Sequence, residues 1–420
     1  MTTEGALARR LGTGDAVVIG LGSMVGAGVF SAFAPAAAAA GAGLLIGLGL
    51  AAGVAYCNAV ASAQLAAQYP TSGGTYVYGR ERLGQWWGFV AGWGFVVGKT
   101  ASCAAMALTF ASYAVPGSTW GQRLVGVAAV ALLTGANCLG VTRTAGLTRL
   151  LVAASLLALA VVVAAIFAGG GRASGLGAVH GGAYGVLQSA GLLFFAFAGY
   201  ARIATLGEEV RDPEHTIPKA IPLALGIAVA IYAAVGLACL LAAGPDALAA
   251  STAPLATAAK AAGSAWALPV VRVGAAVASL GALLALIAGI GRTSLAMARN
   301  GDLPRTLAAV EPRHLVPARA ELAVAAVVSV LVLTTDLRGA IGFSSFGVLT
   351  YYAIANASAF TQPAERRRWP RALNVVGAAG CAALAVTLPV SSVVAGLAVF
   401  AVGVVGRLAL VRSQPASAAR

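Results

Sequence analysis

The chain has 420 residues, 60% of them hydrophobic and 10% charged, and its mean hydropathy is +0.88. Ordinary soluble domains are about 45–50% apolar and about 25% charged, so this composition excludes them and predicts a polytopic membrane protein. The formal net charge is +14, but the basic residues are scattered over many short polar segments rather than gathered on one face with aromatics, which excludes a nucleic-acid partner.

About 20 apolar residues cross the ~30 Å hydrocarbon core as a helix. Twelve such segments are predicted, near 15–40, 43–67, 86–114, 121–141, 147–170, 184–209, 218–243, 268–297, 320–336, 340–361, 372–388 and 391–411. The first is interrupted by Gly22-Ser23-Met24-Val25-Gly26-Ala27-Gly28-Val29-Phe30, and the sixth by Phe194-Phe195-Ala196-Phe197-Ala198-Gly199-Tyr200. Glycine weakens a helix by roughly 0.5–1 kcal/mol relative to alanine, and backbone groups freed inside a membrane are tolerated where they line a cavity or a ligand. Paired breaks in corresponding spans of two halves are the sequence pointer to a transporter binding site. The bland reading is that these glycines only permit close helix packing, which does not explain two dense breaks in related spans.

Breaks in spans one and six divide the first ten spans into five plus five. An odd number per half requires the second half to insert upside down. The expected organisation is one membrane domain over 1–420, with repeat one at about 15–170, repeat two at about 184–361 and two extra helices at about 372–411.

Lysine and arginine placement sets the orientation. Nineteen lie on the side holding the N-terminus, among them Arg9, Arg10, Arg80, Arg82, Arg143, Arg149, Arg305, Arg366 to Arg368 and Arg420. Five lie opposite: Arg123, Arg172, Lys260, Arg272 and Arg338. The bias predicts a cell-membrane protein with both termini in the cytoplasm. No cleavable signal peptide is expected, because the first apolar run is too long and leads straight into further spans.

Cys57, Cys103, Cys138, Cys239 and Cys381 lie in or beside apolar spans without CxxC spacing and read as small buried hydrophobes. The three histidines lack partners at ligand spacing, so neither a metal site nor a cofactor is expected. Pro213 and Pro218 are expected to stop one helix and start the next. The acidic residues around them, Glu208 to Glu214, read as solvated loop charge or as part of an inner gate.

At these residues the chain resembles the amino acid-polyamine-organocation (APC) permeases, over about residues 10 to 412. The motifs that carry the resemblance are Gly26-Ala27-Gly28-Val29-Phe30, Pro70-Thr71-Ser72-Gly73-Gly74-Thr75-Tyr76, the Phe194 to Pro218 segment with Glu208-Glu209-Val210-Arg211-Asp212-Pro213, and Arg299-Asn300-Gly301-Asp302-Leu303-Pro304. The resemblance implies an all-α membrane protein with about twelve transmembrane helices, a LeuT-type 5+5 inverted repeat and transport of an amino acid or related amine. Three departures restrict what carries over. Where cation-handling relatives place an acidic residue after the Gly-aromatic pair of span six, this chain has Ala201 and Arg202. Ser155 stands where many sodium-independent relatives carry a lysine on span five, and Ala278 and Ala282, with Ser279 nearby, stand where relatives carry paired hydroxyls on span eight.

A zwitterionic amino acid suits such a pair of breaks. Unpaired amides at a helix start attract the carboxylate, expected near Met24, Val25, Gly26, Ala27 and Gly28. Freed carbonyls suit the ammonium, expected near Phe195, Ala196, Phe197, Ala198 and Gly199. Intramembrane charges are functional hypotheses by default. Lys99 lies thirteen residues after Trp86, ~20 Å along the helix and near the midplane. It reads either as a group that gains and loses a proton or as a fixed cation satisfied by carbonyls. Arg202 is an electrostatic fixture facing a carbonyl, a partner helix or an anionic substrate group, and Arg292 a side chain that snorkels to the interface.

The functional expectation is a secondary active transporter of neutral or weakly polar amino acids, working by alternating access, independent of sodium and either proton-coupled or exchanging. An amine, polyamine or anionic amino acid carrier of the same fold is the alternative within the class. A channel, a receptor or a membrane enzyme is the alternative outside it, the last disfavoured by the absence of a nucleophile-and-base constellation in the spans.

Overall fold

The computed structural model describes residues 11–70, 73–140, 145–169, 177–204, 209–314 and 316–413. Thr71, Ser72, Glu208 and the charged Arg9, Arg10, Arg143, Arg172 and Arg420 lie outside the described residues. Among the described residues the regular structure is helical. The helices are α1 (Thr13–Met24), α2 (Ala27–Ser31), α3 (Phe33–Ala40), α4 (Leu44–Gln68), α5 (Thr75–Leu83), α6 (Gln85–Ala114), α7 (Thr119–Cys138) and α8 (Ala145–Ala168). They continue with α9 (Gly182–Phe197), α10 (Ala201–Ala204), α11 (Pro213–Ala249), α12 (Pro254–Ala261), α13 (Leu268–Arg299), α14 (Ala318–Thr334), α15 (Leu337–Phe360), α16 (Arg371–Val386) and α17 (Val390–Ser413).

Among the described residues, helices overlap each of the twelve predicted segments. Among the described residues, seven stretches can cross a membrane by length and apolarity: α1 with α2, α4, α6, α8, α11, α13 and α17. Helices α9 and α16 are apolar but shorter. The reason α15 does not read as a lipid-facing span is its position. It buries Ser344, Ser345, Tyr351, Tyr352, Asn356 and Ser358, polar groups that neighbouring helices enclose and keep from the lipid. At the other extreme α17 exposes Val394, Leu397, Val402 and Val405, the apolar face that a bilayer requires.

The helix expected to start at Pro218 starts at Pro213, and Pro218 and Pro222 lie within it. Pro213 is tolerated because the first amides of a helix have no partner anyway. Pro218 removes a bond to the carbonyl of Glu214, whose side chain is exposed, where water can replace it. At the far end Gly244 takes φ +75° and bends α11, which ends the span predicted at 218–243.

The two broken spans lie against each other in opposite directions and are pinned at both ends. At the end carrying the first residues, Leu11 N donates to Glu209 O at 3.1 Å and Arg211 N to Leu11 O at 2.9 Å. At the opposite end Ala42 N donates to Ala178 O and His180 N to Ala40 O, each at 3.0 Å. The start of the first broken span is thereby tied to the exit of the sixth, and its exit to the start of the sixth.

Two of the sequence motifs meet in one lock. Helix α13 ends in a left-handed Gly301, φ +74°, with Asp302 N bonding Met297 O at 2.8 Å and Gly301 N bonding Ala298 O at 3.1 Å. This is the Schellman arrangement, and it turns Asp302 back under the bundle. There the carboxylate accepts from Tyr76 Oη at 2.7 Å and from Arg80 at 2.9 Å, both on α5. Its second oxygen takes Arg407 of α17 at 2.9 Å. The Arg407 guanidinium lies over the Trp86 ring at 4.2 Å and also donates to Gln85 O at 3.1 Å.

Candidate substrate site at the two helix breaks

The first break consists of Val25 (φ −77°, ψ 56°) and Gly26 (φ −103°, ψ −143°), neither helical. Gly26 N turns back to Met24 O at 2.8 Å. The following helices α2 and α3 form nearly one run, because Ala32 between them keeps φ −70° and ψ −19°. The second break is the turn Ala198-Gly199-Tyr200 between α9 and α10. All ten residues expected at the site belong to these two breaks or flank them, and all except Gly199 are buried.

The breaks touch. A Cβ placed on Gly28 would lie 2.7 Å from Ala196 Cα, and one on Gly199 would run into the Ser23 carbonyl and Met24 N. A Cβ on Gly26 would lie 3.1 Å from Ala282 Cβ and 3.9 Å from Ala278 O. Helix α13 therefore brings the Ala282 methyl group and the Ala278 backbone carbonyl toward the first break, and no side-chain oxygen from either alanine.

The carbonyls released by the breaks are already engaged by side chains from three other helices. Tyr232 of α11 places its hydroxyl 2.6 Å from Met24 O and 2.9 Å from Ala196 O, bridging the two breaks. Lys99 of α6 donates to Ala198 O at 3.1 Å. Tyr352 of α15 donates to the same carbonyl at 3.4 Å. One turn further out, Tyr113 donates to Phe30 O at 2.7 Å and accepts from Leu255 N of α12 at 3.3 Å. A buried Tyr hydroxyl normally requires a partner. Sequence reasoning missed these three residues, and the signal that could have found Tyr113 and Tyr232 is a lone tyrosine inside an apolar run.

The remaining expected residues divide. Lys99 is 8% exposed and sits on the second break. Ser155 is buried on α8, but its hydroxyl turns back to Leu151 O at 2.9 Å and not toward the breaks. Arg202 shares its surroundings with the charges of Glu209 and Arg292. Arg292 itself is exposed. Asp212 pairs with His215 at the surface, 2.9 Å apart, which fits solvated loop charge.

The close approach at Gly28 has a direct consequence. A side chain there meets backbone of the other break, which no rotamer change can relieve. Gly28→Val is expected to part the two breaks and abolish substrate binding. Gly26→Ala meets only a methyl group, so its fold should survive and its binding loss should report crowding of the site itself. Ligand binding measured beside thermal stability in detergent checks both, and unchanged affinity in both variants would leave these glycines a packing role only.

The amino acid permease family model matches residues 11–407. An uncharacterized transporter of Mycobacterium tuberculosis is 62% identical over 400 residues, covering 95% of this chain and 90% of the relative. A branched-chain amino acid permease of Bacillus subtilis is 25% identical over 338 residues, 75% of this chain and 72% of the relative. Cationic amino acid transporter 4 of Homo sapiens is 29% identical over 389 residues, 85% of this chain and 60% of the relative. With the match running almost end to end over an all-helical bundle, this chain is a multi-pass membrane transporter and belongs to the amino acid permease family of the APC superfamily.

Proposed function

We propose that the protein is a secondary active transporter carrying neutral or weakly polar amino acids across the cell membrane by alternating access, with both termini in the cytoplasm. The substrate carboxylate binds at the first break, around Val25 to Gly28, on the amides of Ala27 and Gly28 that open α2, and the ammonium binds the carbonyls of Phe195 to Ala198. The antiparallel contact of the two broken spans supports the five-plus-five inverted repeat on which such a cycle runs. The observation that carries the substrate class is Lys99 on the carbonyl of Ala198. A fixed or protonatable nitrogen at the second break occupies the kind of acceptor a substrate cation would need, and Arg202 adds a second positive charge on the same span. Ala201 supplies no carboxylate to offset them.

Transport is independent of sodium on this reading, because Ala278 and Ala282 bring no side-chain oxygen to the first break. Lys99 then serves as the proton carrier or as a surrogate for a bound cation. The relatives' names point both ways, one branched-chain and others cationic, and the lysine at the break favours the former for this chain. Competition against radiolabelled uptake by a full panel of amino acids tests it. Neutral amino acids are expected to compete best, and arginine or lysine as the strongest competitor would overturn the substrate class.

A further inference from the structure

A buried polar seam runs from the second break to the basic end of the bundle, between α4 and α15. Its upper end is Ala198 O, shared by Lys99 and Tyr352. Below it Tyr200, stacked on Tyr352 with ring centroids 5.0 Å apart, turns its hydroxyl toward the Asn58 amide. Asn356 Nδ2 donates to Asn58 Oδ1 at 2.6 Å, and Cys381 of α16 places its thiol 3.3 Å from the same oxygen. Six residues further along α4, ~9 Å lower, and just past the end of α15, Gln362 Nε2 lies 3.4 Å from Gln64 O and donates to Gln68 Oε1 at 2.7 Å. The Asn58–Asn356 and Gln64–Gln362 pairs share the sequence separation of 298, as two parallel helices in register require. Gln68 leads on to the partly exposed Tyr69 hydroxyl at 3.2 Å, and Arg367 closes on Gln362 O at 2.9 Å.

The chain segments that carry the two amide pairs, residues 58–64 and 356–362, also hold polar atoms that the protein itself does not satisfy. Among the described residues Ser62 Oγ, Gln64 Nε2, Asn356 Oδ1, Ser358 Oγ and Gln362 Oε1 are buried with no hydrogen-bond partner. Leaving a buried polar group unpaired costs about 1–3 kcal/mol, and several gathered in one seam are the setting in which buried water, with its two to four hydrogen bonds, is stabilised. The third helix is shaped for the same purpose: a Cβ on Gly377 of α16 would collide with the Asn356 amide. Aliphatic packing would have been the cheaper way to join α4 and α15 inside a membrane.

We propose that this seam is a hydrated proton path joining Lys99 to the basic face, separate from the route taken by the substrate. The Lys99 ammonium releases one proton directly to a bridging water beside the Ala198–Tyr352 contact, its N–H bond breaking as an O–H bond forms, and one proton leaves the chain of waters at the Gln68 and Tyr69 end. Only N–H and O–H bonds are exchanged, and the reverse sequence reloads the lysine. Asn and Gln amides do not carry the proton but hold the waters in line. The titratable groups facing the path are Cys103 beside Lys99, then Tyr200, Tyr352, Cys57 and Cys381, with Tyr69 and Arg367 at its mouth.

The proposal rests on Lys99 as a proton carrier, and the test separates the two. Full-length protein in proteoliposomes loaded with a pH-sensitive dye reports substrate-driven proton movement, measured beside amino acid exchange. The double variant Ser62→Val, Ser358→Val is expected to slow coupled proton movement at least about tenfold while exchange stays within about twofold, and Ser62→Thr, Ser358→Thr to restore it. Equal loss of both activities, or unchanged proton movement, overturns the path. Lys99→Ala that keeps coupled proton movement while the serine variant loses it removes the lysine from the reading and leaves the seam standing. Unaltered protein that moves no protons with substrate overturns both. Hydration is read independently by infrared detection of Cys381 S–H in heavy water, with the other cysteines replaced by alanine. Prompt exchange supports the seam, and a thiol protected for hours overturns it.

Discussion

Lys99→Ala is expected to lose proton-driven accumulation and to retain exchange. The lysine is held inside the bundle on a carbonyl of the second break, where a charge costs at least about 2.5 kcal/mol at mid-membrane. Such a group persists when it is used. Removing it leaves Ala198 O with the longer Tyr352 contact of 3.4 Å, so the break keeps one donor and should remain assembled. Exchange needs only the substrate site and the alternation of the two halves; accumulation against a gradient needs a coupled ion. An unchanged pH profile in the variant, or sodium-stimulated uptake by the unaltered protein, would rule out the carrier role.

Asp302→Ala is expected to be among the most destabilising single changes available outside the breaks. Asp302 and Arg407 are 3% and 4% exposed, whereas Arg80 is 23% exposed. Removing one partner of a buried ion pair leaves an uncompensated charge, at a cost of about 3–5 kcal/mol. Tyr76 loses its acceptor at the same time. The lesion would loosen α5 and α17 from the end of α13, and thermal unfolding in detergent should show it. Replacing Arg407 by Leu in the same chain should recover part of the loss, since the buried charge is then gone. Equal stability of Asp302→Ala and the unaltered protein would show that the lock carries little energy.

The breaks are legible in the sequence because glycines crowded into an apolar run weaken the helix just where a membrane span should be most regular. Lys99 is legible because an intramembrane charge stands out against its neighbours. The partners of the freed carbonyls are not, since Tyr232 and Tyr352 look like ordinary members of apolar helices until the chain brings α11 and α15 onto the breaks. The seam escapes for a related reason. Asn58, Gln64, Asn356 and Gln362 are weakly polar and far apart in sequence, and only the parallel register of α4 and α15 aligns them. The motif around Asp302 carries a family resemblance in the sequence without disclosing a physical role. Its role depends on a three-helix meeting that no local pattern encodes. Among the described residues the span count by apolarity is seven, because helices such as α15 are shielded from lipid and need not be apolar throughout.

If the joined breaks form an amino acid site that opens alternately to the two faces of the membrane, counterflow in proteoliposomes should reveal it. Vesicles preloaded with an unlabelled neutral amino acid are diluted into a trace of the labelled one, without sodium. The expected result is a saturable, transient overshoot of label that Gly26→Ala, still folded, fails to produce. Label that equilibrates without trans-stimulation, or an overshoot of the same size in Gly26→Ala, would refute an alternating site at the breaks.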